Sequence, residues 1–415
     1  MIDQAFEVDG AREAGCDPES LRRAFHLLDE WVAAGILPGA AAVVARGGRI
    51  AGEAYVGIAR RDQGTAVTRD TVFPLASVTK PFTATAVLLL VEQGRFSLDE
   101  PLSSLLPEFL RAPETPFARD SVTLRHALSH CSGLPGFAKD NIELRQAHRP
   151  LPNFVHSHLR QPLLFAPGTR HYYSNCGINL AAETVGRALA GKLGEECGNP
   201  EVGRYHPFVT KSILRPLGLR ATGFFPPPAW DDRIARVEGQ WNPDPEWGTN
   251  SSYYRSLGIP WGGLFGTALE VARFVDIFQP AAAGRQRIGV APGSDGAQVV
   301  SPATAQAMTT VQSDLPDASR HLHPELRDAP LAVERASVPW GLGWEIKGGK
   351  QLDRSGDLSS PRTYGHVGAS GTMVWGDPAT DVTVVLLTNQ ALASGWMVER
   401  PRQALFSAAV CASLR

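Results

Sequence analysis

Ser77 and Lys80 are the residues of this chain whose types and spacing best suit them to chemistry. Only six lysines occur, at 80, 139, 192, 211, 347 and 350, and Lys80 alone has a serine three positions before it. On a helix, residues three apart share a face, so the Lys80 amine can lie beside the Ser77 hydroxyl. A serine hydroxyl becomes a nucleophile when a neighbouring group takes its proton or stabilises its alkoxide. The pair alone is a short motif, and a plain helix start would look the same.

Two further clusters carry complementary chemistry. Tyr173-Ser174-Asn175 follows the turn Pro167-Gly168. A phenol works as a general base when a nearby cation favours its phenolate, and Lys80 is the cation at hand. His366-Val367-Gly368-Ala369 sits inside the glycine-rich run 364–372. Glycines flanking a strand entry let backbone approach a ligand closely. The Ala369 N–H is therefore expected to join the Ser77 N–H as an oxyanion hole.

These groups need a rigid frame. An apolar segment, 72–76, leads into the serine, and Pro81 follows the lysine, a residue that a helix tolerates only in its first turn. The pattern predicts a helix beginning at Ser77 or Val78. Residues 82–91 are almost wholly apolar and stop at Gly94, as in a buried helix with a glycine C-cap. Ser77 would sit at the helix N-terminus, where free N–H groups and the dipole favour a developing oxyanion.

The rest of the chain reads as an α+β fold. Residues 18–34 have helical spacing, with Leu21, Phe25, Leu28 and Val32 on one face. Two strands follow, 40–45 and 50–56, joined through Arg46-Gly47-Gly48-Arg49. The far end supplies strands at 340–346, 372–375 and 382–388 and a closing helix over 398–414. The simplest assembly is one domain. An antiparallel sheet built from both chain ends and flanked by the terminal helices forms an α/β lobe, 1–70 with 336–415. A mostly helical lobe, about 71–335, packs against it and leaves a cleft where a ligand would bind. The proline-rich stretch 279–339 reads as a flap or lobe insertion, with disorder the alternative.

Composition removes several function classes. A formal charge of −2 over 415 residues offers no basic footprint for nucleic acid or an anionic membrane. The acidic N-terminus lacks the features of a signal peptide, and no apolar run approaches the roughly 20 residues of a bilayer span. Five scattered cysteines without a C-x-x-C pair suit reduced thiols in a soluble, cytoplasmic protein.

Together, S-x-x-K at 77, Y-S-N at 173 and H-x-G at 366 resemble, in order and separation, the serine hydrolases related to class C β-lactamases, D-alanyl-D-alanine carboxypeptidases and family VIII esterases. Residues 124–135 look like that family's L-L-x-H-T-S-G-L segment and 262–268 like its G-G-L-x-S-T-A segment; 96–102 also fits. The similarity spans roughly residues 20 to 410. It implies a β-lactamase/transpeptidase-like fold and a Ser77 acyl-enzyme. Lys80 and Tyr173 would share the proton transfers of acylation and deacylation, their titrations coupled. Asn175 would orient the acyl side of a small ester or amide substrate, and no metal or organic cofactor is implied.

The third motif departs from the K-T-G of class C β-lactamases. A histidine is mostly neutral at pH 7, so His366-Val367-Gly368 serves a carboxylate-bearing β-lactam less well than lysine would. Ester hydrolysis is the reading this favours. Its rivals are an amidase, a D-stereospecific peptidase or a weak β-lactamase using the same residues, and a non-catalytic binding or regulatory homologue. His126, His130 and Cys131 imitate zinc spacing, but no third ligand motif accompanies them, and the resemblance makes His130 structural. The α/β-hydrolase elbow G-x-S-x-G does not occur. Among the large aromatics, Tyr254 and Trp375 are expected to wall the cleft. Arg362 is the candidate for the charge that His366 lacks, with a surface arginine the plainer reading.

Overall fold

In the computed structural model, which describes residues 6–112, 115–240, 242–279, 288, 298–322, 337–349, 353–392 and 401–415, a short edge strand β1 (Phe6–Glu7) precedes the helix α1 (Pro18–Ala33). Asp17 caps α1 by accepting from the Ser20 N–H, and Pro18 occupies the first turn, where its missing N–H costs nothing. Strands β2 (Gly39–Arg46) and β3 (Arg49–Arg60) then form the hairpin read from sequence. Gly47 and Gly48 lie at φ 60° and 74°, the left-handed pair that a two-residue turn requires.

Two short strands follow, β4 (Thr65–Ala66) and β5 (Phe73–Pro74), before the long buried helix α2 (Thr79–Glu92). After the mostly helical middle come β6 (Phe265–Gly266), β7 (Ser313–Leu315), β8 (Val338–Trp340), β9 (Glu345–Ile346), β10 (Tyr364–Gly368), β11 (Thr372–Asp377) and β12 (Val382–Thr388). The main sheet has ten strands in the order β1-β3-β2-β12-β11-β10-β9-β8-β7, with β4 beside β3. Every pairing is antiparallel. The chain ends meet at its centre, where Val382–Thr388 runs beside Ala40–Arg46.

Two apolar cores sit on opposite faces of this sheet. On one, α1 and the C-terminal helix Arg402–Cys411 cover Val44, Met373, Trp375, Val384 and Leu386, with Phe25 stacked on Phe406 at 6.4 Å. On the other, the helix Ala268–Asp276 packs against β12 and β2 and joins α2, where the Phe82 and Phe274 rings stack at 3.5 Å. Because β12 is buried on both faces, it carries the unbroken apolar run Val384–Leu387 rather than an alternation.

The structure revises some of the expected boundaries. β7 enters the sheet from within the stretch assigned to the helical lobe. The single strand expected over 340–346 is two, β8 and β9, because Gly343 at φ 79° turns the chain between them. Of the 279–339 stretch, the described residues supply the helices Pro302–Thr309 and Ser319–Leu322, β7 and the start of β8; 280–287, 289–297 and 323–336 lie outside the described residues. The closing helix runs Arg402–Cys411, and the expected start at 398 also falls outside them. No helix among the described residues is long and apolar enough to cross a membrane.

Candidate active site

The α-helix starts one or two residues later than the sequence placed it, and Ser77 stands just ahead of it. A 3₁₀ turn, Ala76–Val78, carries the serine, and α2 proper begins at Thr79. Ser77, in that turn, and Lys80, in the first turn of α2, stand three residues apart, so their side chains meet. Ala76 adopts φ 47°, in the left-handed region that L-residues rarely occupy, and this backbone twist turns the chain from β5 into the serine. α2 is buried from Thr79 through Leu90 and ends in a glycine cap, Gly94 at φ 66°. A helix buried all round is held in the interior, and this one anchors Lys80 there with Ser77 at its head.

Lys80 has no accessible surface. Its Nζ donates to Ser77 Oγ at 2.9 Å and to the Trp261 carbonyl at 2.8 Å, and it stands 4.7 Å from the centroid of the Tyr173 ring. Burial pulls its pKa well below the ordinary lysine value, and no carboxylate among the described residues offsets that. The Tyr173 hydroxyl shares a hydrogen bond with Ser77, but burial pushes its pKa upward. Tyr173 is therefore a neutral phenol in the free enzyme, and the phenolate expected from sequence is not favoured. Its hydroxyl also lies 3.5 Å from Nε2 of His366. The Nδ1 of His366 donates to the Val367 carbonyl at 2.9 Å, so Nε2 presents its lone pair to the phenol. Burial, then the charge of Lys80, brings the His366 pKa down to about 3.

The loop between β10 and β11 is tied by two hydroxyls to the segment that leads into Ser77. Ser370 donates to the Pro74 carbonyl at 2.6 Å and Thr372 to the Leu75 carbonyl at 2.9 Å. Gly368 makes this contact possible: a Cβ there would stand 2.3 Å from the Leu75 carbonyl oxygen. Ala369 is thus carried to the mouth of a cavity of about 340 Å³ that Ser77, Asn175, Tyr254 and Gly262 also line. Asn175 opens the helix Asn175–Ala190, which Ser174 caps by accepting from the Gly177 N–H.

A family model described as Beta-lactamase matches residues 25–408. The chain belongs to the Beta-lactamase family. It is 30% identical over 378 residues to esterase EstB of Burkholderia gladioli, covering 86% of each chain. It is 29% identical to penicillin-binding protein 4 of Amycolatopsis lactamdurans, over 89% of this chain and 85% of that one. A crystal structure of a family VIII carboxylesterase shares its fold at a TM-score of 0.71, with 20% identity over 96% of this chain and 98% of the other. The protein is accordingly a serine hydrolase of the β-lactamase-like α+β fold.

Within that fold, Ser77, Lys80, Tyr173 and His366 converge, and Asn175, Gly368, Ala369 and Tyr254 surround them. Tyr254 does stand in the cleft wall, its hydroxyl donating to the Gly262 carbonyl at 2.7 Å. Trp375 does not. It lies on the opposite face of the sheet, packed under the C-terminal helix with its Nε1 donating to Ser407 Oγ at 3.0 Å. Arg362 is exposed on the surface. His126 and His130 spend ring nitrogens on backbone amides, Nδ1 of each accepting from the N–H of Thr123 and Ser174 respectively. The His130 ring lies 4.4 Å from that of Tyr173, and Trp340 packs edge-on against His130, Tyr173 and His366. Trp340 and the Trp261 carbonyl escaped the sequence reading. The proximity of Trp261 to the Gly262-Gly263 pair was the available signal.

Proposed function

We propose that this serine hydrolase cleaves carboxylic esters through an acyl-enzyme on Ser77. The observation that carries the reading is the buried Lys80 amine, pushed toward its neutral form and hydrogen-bonded to the Ser77 hydroxyl. With one N–H held by the Trp261 carbonyl, the neutral amine receives the Ser77 proton as Oγ attacks the ester carbonyl. The N–H groups of Ser77 and Ala369 receive the developing oxyanion. Tyr173, a neutral phenol, passes a proton to the departing alkoxide and is reprotonated by the Lys80 ammonium. Water then enters along the same relay and gives a proton to Lys80 as it attacks the acyl carbonyl; the Lys80 ammonium returns that proton to the departing Ser77 Oγ, which releases the acid and restores the serine hydroxyl and the neutral amine.

The neutral His366 supports ester over β-lactam cleavage, since that wall offers no charge to a β-lactam carboxylate. The likeness to a protein named an esterase supports the same choice. Five unpaired cysteines support a cytoplasmic setting.

Incubation with a fluorophosphonate, followed by intact mass and peptide mapping, tests the nucleophile. A single adduct on Ser77, lost in Ser77→Ala, is the expected result. Short p-nitrophenyl esters should then turn over, with D-amino acid p-nitroanilides and a chromogenic cephalosporin slower by orders of magnitude. Faster turnover of either of the latter would overturn the ester assignment.

A further inference from the structure

The cavity beside Ser77 contains a cation that the mechanism above does not use. Arg145, on the helix Asn141–Gln146, is only 8% exposed and lines this cavity together with Asn141 and Asn175. Its guanidinium has one hydrogen bond, a long one of 3.4 Å from Nε to Asn141 Oδ1, and its Cζ lies 5.9 Å from the Phe154 ring. No carboxylate or carbonyl among the described residues meets its two terminal nitrogens.

Two other buried arginines show how this fold treats a guanidinium kept for structure. Arg119 donates to the carbonyls of Phe109, Leu159 and Gln161 at 2.6 to 2.9 Å. Arg187 pairs with Glu183 and Glu108 at 2.7 and 2.9 Å. Arg145 receives neither treatment. The terminal nitrogens of Arg145 keep accessible surface, so their acceptors come from whatever fills the space they face. Here the donors open on a cavity that also bears Lys139 and, among the described residues, no carboxylate.

We propose that Arg145 binds a carboxylate carried on the acyl part of the substrate, so that the preferred esters are half-esters of dicarboxylic acids. The proposal rests on the ester-hydrolase reading. Asn175, on the acyl side in that reading, is joined to the segment leading to Arg145 by its N–H bond to the Gly136 carbonyl at 3.0 Å. Arg145 and the catalytic serine therefore open on one cavity, with Asn141 pinning the guanidinium. A planar guanidinium with free terminal N–H groups matches a carboxylate bidentately, which a lysine or histidine cannot do. The charge absent from the His366 wall is supplied from a different wall, and for a different part of the substrate.

The test compares p-nitrophenyl half-esters of succinate, glutarate and adipate with neutral p-nitrophenyl esters of matching chain length. The wild-type enzyme should favour at least one half-ester about tenfold or more in kcat/KM. Arg145→Gln should erase that ratio mainly through KM, and Arg145→Lys should restore part of it. Calorimetric binding of glutarate to the wild type, lost in Arg145→Gln, reads the subsite without turnover. Equal rates on both series, a ratio unchanged in Arg145→Gln, or glutarate binding indifferent to the substitution would overturn the proposal. Absence of hydrolysis in either series, with glutarate still bound through Arg145, would instead overturn the ester-hydrolase reading.

Discussion

Replacing Gly368 by alanine asks whether the β10–β11 loop supplies an oxyanion donor. The added Cβ would stand 2.2 Å from Thr372 Oγ1, 2.3 Å from the Leu75 carbonyl oxygen and 3.2 Å from Ala76 Cβ. Ordinary contact begins near 3.4 Å, and the two closest atoms are hydrogen-bonded to each other and fixed by the nucleophile turn. The end of β10 must therefore withdraw by about 1 Å, taking the adjacent Ala369 N–H with it. A misplacement of that size, or the loss of one oxyanion donor, costs on the order of 10² to 10³ in kcat. Overpacking adds a stability loss of about 1–3 kcal/mol. The assay is kcat on p-nitrophenyl butyrate beside the rate of fluorophosphonate labelling, with urea unfolding to verify the native state. Gly349→Ala is the control, because nothing lies within 4 Å of a Cβ there. A folded Gly368→Ala enzyme within threefold of wild type in both rates would refute the argument.

Lys80→Met should lower kcat by about 10² to 10⁴ while altering the pH dependence of stability in a defined direction. The folded-state pKa of Lys80 lies below its unfolded value of 10.5, so between the two the unfolded chain binds the extra proton. Wild-type stability therefore falls as pH drops from 10.5 toward the folded pKa, by roughly tenfold in the folding equilibrium per pH unit. Methionine removes that loss. Melting curves should accordingly show the variant gaining on the wild type as pH is lowered from 10 to 7, and a pH-independent difference would contradict a neutral buried Lys80. Trp375→Phe tests the far side of the sheet. It should leave kcat/KM within twofold while costing about 1–3 kcal/mol in urea unfolding, through the lost Ser407 bond and a small void.

Much of the site was legible because its first pair is local. Serine and lysine three residues apart become neighbours on either an α or a 3₁₀ turn, so the exact start of α2 did not matter. The hairpin at Gly47-Gly48 was equally local, since the turn demands glycine. The misplacement of Trp375 has a simple geometric cause. Residues paired across antiparallel strands share a face, and His366 pairs with Val374, not with Trp375. Side-chain alternation then puts Met373 and Trp375 on the face away from the cleft. Closeness to the motif in sequence suggested the cleft, and pairing register decided otherwise.

The protonation states were beyond any motif. Sequence chemistry allowed Tyr173 to be a phenolate because a lysine stood near it. The structure instead buries both groups, and burial outweighs every other influence on them, driving the amine toward neutrality and keeping the phenol protonated. Desolvation depends on how much protein surrounds an atom, which no spacing encodes.

The amino-acid sequence by itself determined the Ser77–Lys80 neighbourhood, the order of the three motifs, the α+β layering and the family, because each rests on residue type, short spacing or periodicity. Tertiary structure alone decided that the Trp261 carbonyl holds Lys80, that Ser370 and Thr372 tie Ala369 to the serine turn, and that Arg145 faces the cavity with no protein acceptor among the described residues on its terminal nitrogens. Those contacts join residues between roughly 70 and 300 positions apart. Local propensity says nothing about such pairs; they exist only once the two chain ends have closed one sheet around the buried helix.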